Sequence, residues 1–305
     1  MARYILARLL SAAAVLALVC VVSFMLSVLA SDTAISMAGN SATAGDIAAV
    51  RSAYGLDKPG YLRFLGWLAD ILRGDLGRSL QYRQPVAEMI AGRLGVTLTL
   101  GLVSLTFALC LALPLGIAAA VYRNTVVDRA AVLVGVMGQA MPTPVFALGL
   151  MIVFGLKLGW LPVSGTENWR NYVLPAIVLG YVATPSLLRL TRAGMIEALA
   201  SDYVRTARAY GLGTWSILVR HALRNALAPL LSLCAVSFGH MLAGSIVVEQ
   251  AFALRGIGWL TYDATVRADL PVLQAAILVV ATFYVALTLA ADLCNAWLDP
   301  KVRLA

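Results

Sequence analysis

The stretch that decides the fold is residues 98–121, which read LTLGLVSLTFALCLALPLGIAAAV and contain no charged side chain. A helix of about 20 apolar residues matches the thickness of the hydrocarbon core of a bilayer. Similar runs occur on both sides of it, and the predicted spans are residues 9–30, 98–121, 131–156, 173–190, 227–248 and 272–297. The sequence therefore predicts an all-α integral membrane protein with six transmembrane helices.

The composition supports the same class. The 305 residues are 61% hydrophobic and 12% charged, with a mean hydropathy of +0.86, whereas about a quarter of the residues of a soluble domain are charged. The net charge of +8 is scattered among connecting segments without interleaved aromatic or glycine-rich motifs, so we attribute it to membrane topology and expect no nucleic-acid partner. The four cysteines fall in four different apolar runs and are predicted to be small buried side chains.

The distribution of basic residues predicts the orientation. With six spans both termini share one side, and the segments on that side hold most of the basic residues, namely Arg3, Arg8, Arg123, Arg129, Arg189, Arg192, Arg205, Arg208, Arg220, Arg224, Lys301 and Arg303. By the positive-inside bias both termini are predicted to be cytoplasmic. The first run is predicted to be an uncleaved span, and cleavage near Leu29 to Ser31 is the alternative.

Four segments follow from this topology. They are an N-terminal transmembrane helix (1–30), an outside segment (31–96), a transmembrane core (97–298) with a cytoplasmic loop at 189–225, and a cytoplasmic tail (299–305). Within the outside segment, apolar residues between 61 and 72 recur at helical spacing and predict a surface helix. Residues 74–79 (GDLGRS) predict a turn, and Pro85 predicts the start of a short helix before the second span.

The cytoplasmic loop carries the most informative motif, because residues 202–213 read DYVRTARAYGLG. Ser201 or Asp202 can cap a helix, and Gly211 can take the left-handed conformation that ends one. Arg205 and Arg208 stand three residues apart and share a face. The spacing alone fits either docking onto a partner protein or contact with anionic lipid.

Several motifs in order resemble the permease subunits of ATP-binding-cassette importers for dipeptides, oligopeptides, nickel and glutathione. The loop motif is followed by HALRNA at 221–226 and by Pro229, and the other motifs are YGLDKP at 54–59, GDLGRS at 74–79, LGWLP at 158–162 and LDPKVR at 298–303. The resemblance covers almost the whole chain. The sequence departs from the family pattern at one position and in one short stretch: Tyr210 replaces a common lysine, and residues 30–33 (ASDT) replace Pro-Gly-Asp-Pro.

The resemblance implies a division of labour between subunits. Six helices would pair with a homologous second permease, an extracytoplasmic binding protein would deliver substrate, and two ATPase subunits would bind ATP and Mg²⁺, so this chain would bind no cofactor itself. The short cytoplasmic helix would couple to an ATPase subunit. The implied coupling residues are Asp202, Tyr203, Arg205, Thr206, Ala207, Arg208 and Gly211, of which Arg205, Thr206, Ala207 and Gly211 match the Glu-Ala-Ala-x-x-x-Gly docking motif.

Five residues in or next to the predicted spans are further candidates. Met141, Pro142 and Pro144 predict a kink in the third span, as Pro114 and Pro185 do in the second and fourth. Glu249 and Asp292 are ionisable groups near membrane depth, and for both a structural role is favoured over a pathway role. Small residues around Gly239 and Gly244 predict close helix packing in the fifth span.

The expected function is import of di- or oligopeptides across the bacterial inner membrane, with nickel complexes or glutathione as alternatives on the same scaffold. A secondary transporter coupled to an ion gradient is the alternative of another class, but the sequence shows no evident repeated halves. The chain has no Gly-x-x-x-x-Gly-Lys-Ser/Thr phosphate loop and no clustered catalytic residues. We therefore expect that it is not an enzyme.

Overall fold

The computed structural model describes residues 2–30, 43–45, 48, 52 and 57–298. Its helices are α1 (Ala2–Ala30), α2 (Gly60–Leu72), α3 (Val86–Val121), α4 (Val126–Ala140), α5 (Thr143–Leu150), α6 (Val173–Ala200), α7 (Asp202–Ala209), α8 (Arg224–Ala251), α9 (Ile257–Val266) and α10 (Leu270–Leu298). A π-helical stretch, Met151–Lys157, extends α5, a short 3-10 helix, Trp169–Tyr172, precedes α6, and Thr214–Ser216 and the π-helical Ile217–Leu223 precede α8. The motif at 54–59 lies partly, and the tail 299–305 wholly, outside the described residues.

Five helices are long and apolar enough to cross a membrane. They are α1, α3, α6, α8 and α10, and their apolar windows have mean hydropathies between 1.6 and 2.6. Each coincides with a predicted span, and within the described residues the only β pairing is a single bridge between Arg78 and Pro85. The prediction of an all-α membrane fold is confirmed.

The third predicted span is broken rather than kinked. α4 ends at Ala140 and α5 begins at Thr143, while Met141 is extended with φ −103° and ψ 133°. A proline disfavours helical conformation in the preceding residue and supplies no backbone donor, so Pro142 stops the helix and Pro144 fits the first turn of the next one. Six crossings result when α4, α5 and the π-helical stretch are counted as one interrupted crossing. Pro114 and Pro185, by contrast, lie inside uninterrupted helices.

The centre of the bundle is the pair α3 and α6, which have the most extensive contact of any two helices. Two glycines permit this approach. A β-carbon added to Gly180 would lie 2.4 Å from the Ser104 carbonyl oxygen, and one added to Gly116 would lie 2.8 Å from the Thr191 Cβ. Small residues at helix contacts are the usual way in which membrane helices pack closely. In the fifth span the predicted close packing is present at Gly239, where an added β-carbon would lie 2.0 Å from a Tyr284 ring carbon. A β-carbon added to Gly244 would come no closer than 3.9 Å to a neighbouring helix.

The N-terminal helix lies at the edge of the bundle. α1 packs on α10, and the Phe24 ring contacts the rings of Phe64 and Trp67 in α2. The helix predicted at 61–72 is therefore present, with no buried residue. The prediction that all four cysteines are buried is wrong within this chain, because Cys110 and Cys294 are exposed on helix surfaces and Cys234 is half-buried. A membrane helix can expose apolar side chains to lipid at no hydrophobic cost.

At the end of the bundle opposite α7, a loop is fixed onto the α9–α10 connection. Gly74 and Gly77 have φ of +84° and +80°, which confirms the predicted turn. The buried carboxyl of Asp269 accepts hydrogen bonds from the Ser79 hydroxyl and from the backbone N–H of Leu80 at 3.1 Å. The short helix predicted after Pro85 is instead the continuous first part of α3.

Candidate functional site

The loop between α6 and α8 forms the predicted short helix, α7. Ser201 occupies the N-cap position, but its hydroxyl donates to the Ala198 carbonyl and makes no cap. At the other end Gly211 has φ +74°, its N–H donates to the Arg208 carbonyl at 2.9 Å, and the Leu212 N–H donates to the Ala207 carbonyl at 3.2 Å. These two bonds form a Schellman motif, in which glycine provides the left-handed residue.

One face of α7 packs onto the bundle. Val204 and Ala207 are 0% and 6% exposed and contact Ile217, with Leu199 packed against the same cluster. The four apolar side chains fix the orientation of the short helix relative to α6 and to the start of the segment that leads into α8. The predicted coupling residue Ala207 therefore faces inward, where it can support a docking surface but not form one.

The rest of the α7 surface is exposed. The predicted coupling residues that are exposed on it or just after it are Asp202, Tyr203, Arg205, Thr206, Arg208 and Gly211. Arg205 makes an ion pair with Asp202 at 3.3 Å, in which the side chains are 81% and 93% exposed. Such an exposed pair contributes about 0–1 kcal/mol, so both groups remain available to a partner. The arrangement presents positive charge on a rigid, two-turn helix.

Exposed aromatic residues adjoin this charged face. Tyr210 is 83% exposed, Trp215 is 78% exposed, and Leu212 between them is 41% exposed. From the sequence, Tyr210 was recognised only as a departure from the family pattern, and Trp215 was not assigned to the site. Aromatic and arginine side chains are enriched at protein interfaces. Trp215, Leu218 and Val219 recur at helical spacing, so no local signal in the sequence marks Trp215 as exposed.

The exposed surface of α7 is followed directly by a transmembrane helix. From Thr214 the chain is helical through the π-helical stretch Ile217–Leu223 and then through α8 to Ala251. Ile217, in the first turns of this helix, is buried against Val204 and Ala207 of α7. The helix interior contains Pro229, yet the helix continues past it.

A second link at the same end joins α4 to α6. Arg192 donates to both carboxyl oxygens of Asp128, at 2.7 and 2.8 Å, and the Asn124 N–H donates to the same carboxyl at 2.9 Å. These hydrogen bonds lower the pKa of Asp128 to about 2, with the bonds from Arg192 as the largest cause. Sequence reasoning missed this pair, because its members are 64 positions apart.

The candidate residues within the spans have different surroundings. Met141 and Pro142 lie in the break between α4 and α5, and Pro144 lies in the first turn of α5. Asp292 makes an ion pair with Arg8 at 3.2 Å, which joins α10 to α1.

Glu249 is wholly buried near the end of α8 that lies opposite α7. Its carboxyl oxygens accept from the Thr97 hydroxyl and from the Trp259 N–H, both at 2.8 Å, and Thr97 in turn accepts from the Ile257 N–H at 2.7 Å. The carboxyl and the hydroxyl thus satisfy donors in the first turn of α9. Gly256 leaves the necessary space, because a β-carbon there would lie 2.4 Å from the Thr97 oxygen.

Within the described part of the chain, no three His, Cys, Asp or Glu side chains are grouped to hold a metal ion. The expectation that this chain binds no cofactor stays a prediction. The features that the structure does show are a supported short helix, an interrupted span, and polar contacts between helices at both ends of the bundle.

Known proteins match nearly the whole chain. Residues 112–304 match the family described as binding-protein-dependent transport system inner membrane component, and residues 1–101 match the N-terminal family of such components. The glutathione transport system permease protein GsiC of Salmonella typhi is 38% identical over 306 residues, which cover 99% of each chain, and GsiC of Escherichia coli (strain K12) has the same identity and coverage. A chain of the MetNI methionine ABC transporter, in an inward-facing structure, superposes with a TM-score of 0.58 at 16% identity, over 69% of this chain and 96% of that one.

Proposed function

The chain belongs to the family of inner-membrane components of binding-protein-dependent transport systems, and from this premise we propose how it couples to ATP and what it carries. It is a permease subunit of an ABC importer and not the catalytic subunit. In our proposal it forms half of the translocation pathway beside a homologous second permease. Two ATPase subunits bind ATP and Mg²⁺, and an extracytoplasmic binding protein delivers the substrate.

The observation that carries the proposal is the exposed face of α7. Arg205 and Arg208 project from a helix whose other face is anchored by Val204 and Ala207. A short helix with a buried apolar face and an exposed basic and aromatic face is suited to enter a cleft on a partner. Closure of two ATPase subunits would push α7, and the buried contact with Ile217 would pass that displacement to α8.

Docking at α7 also assigns the sides of the membrane. The start of α1, the end of α10 and the α7 surface lie at the same end of the bundle by connectivity, so we place both termini in the cytoplasm. The opposite end, which carries the loop fixed onto Asp269, then faces the binding protein. A cleft of about 480 Å³ lies at this end, lined in part by Glu88, Arg93 and Arg255.

We propose glutathione as the first substrate to test, within the broader class of short peptides. The support is the 38% identity to glutathione permeases over 99% of the chain. Glutathione is itself a tripeptide with free carboxylate and amino groups, so the peptide expectation and this proposal concern related chemistry. Nickel complexes stay an alternative that the same experiment can test.

The test is uptake into proteoliposomes that contain the whole complex and its binding protein. Labelled glutathione, a dipeptide, an oligopeptide and a nickel complex are compared with and without ATP, and liposomes without the ATPase subunits are the control. We expect ATP-dependent uptake of glutathione or of a short peptide. Uptake that follows an imposed ion gradient and needs no ATPase subunits would contradict the proposal.

A further inference from the structure

His240 is an ionisable side chain exposed at the middle of a membrane span. It lies eleven residues from each end of the apolar segment Pro229–Ala251, about 16 Å in either direction at the helical rise. The hydrocarbon core is about 30 Å thick, so this position corresponds to the bilayer centre. The imidazole is nevertheless on the surface of this chain.

A built arrangement holds the imidazole in place. The Tyr284 ring of α10 stacks on it, with ring centroids 6.2 Å apart and an interplanar angle of 18°. Gly239 makes room for this ring, because a β-carbon there would lie 2.0 Å from a Tyr284 ring carbon. Tyr284 also lies near the middle of its apolar segment, Leu270–Cys294. Two polar side chains from neighbouring helices thus meet at the same depth.

Lipid is an unfavourable neighbour for this pair. Polar groups without partners in hydrocarbon are costly, and ionisable residues at such depth almost always face protein or a water-filled cavity. The surroundings on α8 agree, because Ala243 and Gly244 are exposed beside His240. The outer face of α1 instead exposes Leu10, Val15 and Leu18, which is the composition expected toward lipid.

A second feature at similar depth indicates a polar space. The break between α4 and α5 at Pro142 exposes non-helical backbone, and the adjacent Gln139 is exposed as well. Interrupted backbone at membrane depth is tolerated only when it is buried in protein or lines a water-filled cavity. The segment that follows the break, α5, packs directly on α8.

We propose that His240 and Tyr284 form a binding contact at the middle of the translocation pathway. The imidazole and phenol each donate a hydrogen bond to a carboxylate of the passing peptide or glutathione. This inference rests on the proposed function, because it requires that the chain lines a pathway for carboxylate-bearing substrates. Such a contact would replace part of the hydration that a carboxylate loses on leaving water.

Accessibility to a water-soluble reagent tests the location. In the assembled complex, with the four native cysteines replaced by alanine, His240→Cys is treated with a membrane-impermeant methanethiosulfonate carrying a trimethylammonium group. The matched control is Val15→Cys, which is also exposed at mid-span but on α1. We expect His240→Cys to react, more slowly with a saturating substrate that has no thiol, such as S-methylglutathione, and Val15→Cys not to react. Failure of both to react, with and without ATP, would overturn the location and indicate that the second permease covers His240.

Transport kinetics test the contact itself. We expect His240→Ala to raise the KM for uptake about tenfold, as expected for loss of a hydrogen bond to a charged group. His240→Gln, which keeps a donor, should recover most of the affinity, and Tyr284→Phe should raise the KM by a smaller factor. Unchanged KM values in all three variants would overturn the contact. Absence of uptake in the unmodified complex would instead contradict the proposed function, and the labelling result would be unaffected.

Discussion

Replacement of Glu249 by alanine should release the first turn of α9. The change removes the acceptor of two hydrogen bonds, from the Thr97 hydroxyl and the Trp259 N–H, and leaves the first donor buried and the second partly buried. A hydrogen bond contributes about 0.5–3 kcal/mol, with bonds to charged groups at the upper end, and an unsatisfied buried donor adds a penalty of about 1–3 kcal/mol. Release of the carboxyl from its buried site offsets part of this loss. We therefore expect a local destabilisation of about 3 kcal/mol.

Hydrogen exchange of the purified complex, followed by mass spectrometry, measures this effect directly. A local destabilisation of about 3 kcal/mol corresponds to roughly a hundredfold faster exchange of the amides at 257–259. Gln250→Ala is the matched control, because Gln250 is the adjacent residue on α8 and is exposed. Equal exchange at 257–259 in wild type and Glu249→Ala would refute the assignment of Glu249 as the cap of α9.

Three other predictions concern separate contacts. The pKa of Asp128 is lowered from 3.8 to about 2. The stabilising effect of the ionised carboxylate is therefore complete above pH 3.8 and is lost as the pH falls through about 2. The difference in melting temperature between wild type and Asp128→Asn should shrink over that window. No atom lies within 4 Å of a β-carbon added at Gly211, so the cost of a substitution there comes from its φ of +74°. Gly211→Val should destabilise α7 by about 1–2 kcal/mol, and Gly211→Asn by less, because asparagine adopts the left-handed region more readily. Hydrogen exchange at 202–209 measures both values. Tyr82→Phe removes a 2.8 Å hydrogen bond to Asp263 and should speed exchange at 78–83 about fivefold, whereas unchanged exchange would show that the bond is not formed.

Local patterns in the sequence were sufficient to predict the long apolar helices and the short helix α7. Apolar runs of membrane length correspond to α1, α3, α6, α8 and α10, because the length of a run is a local property. Gly211 likewise marks the end of α7, since a left-handed residue with a Schellman motif depends on neighbouring residues only. These features require no knowledge of which helices meet.

Features that depend on distant partners could not be predicted in the same way. The sequence indicates an acidic group at Glu249 but not its bond to Thr97, 152 positions away. The break at Pro142 was predicted as a kink, because proline alone does not determine whether the helix resumes directly. The inward position of Ala207 follows from Ile217, which meets α7 only after the chain has turned at Gly211.

The most direct test of the central claim is ATP-dependent uptake and ATPase association in a complex with Arg205→Glu and Arg208→Glu together. Both side chains are exposed, so the variant should insert normally and keep α7 folded on Val204 and Ala207. Arg73→Glu, an exposed charge reversal at the opposite end of the bundle, is the control. The account predicts that the double variant loses uptake and releases the ATPase subunits while the control retains both. Unchanged uptake and association in the double variant would contradict the claim that ATP-driven motion enters the chain through α7.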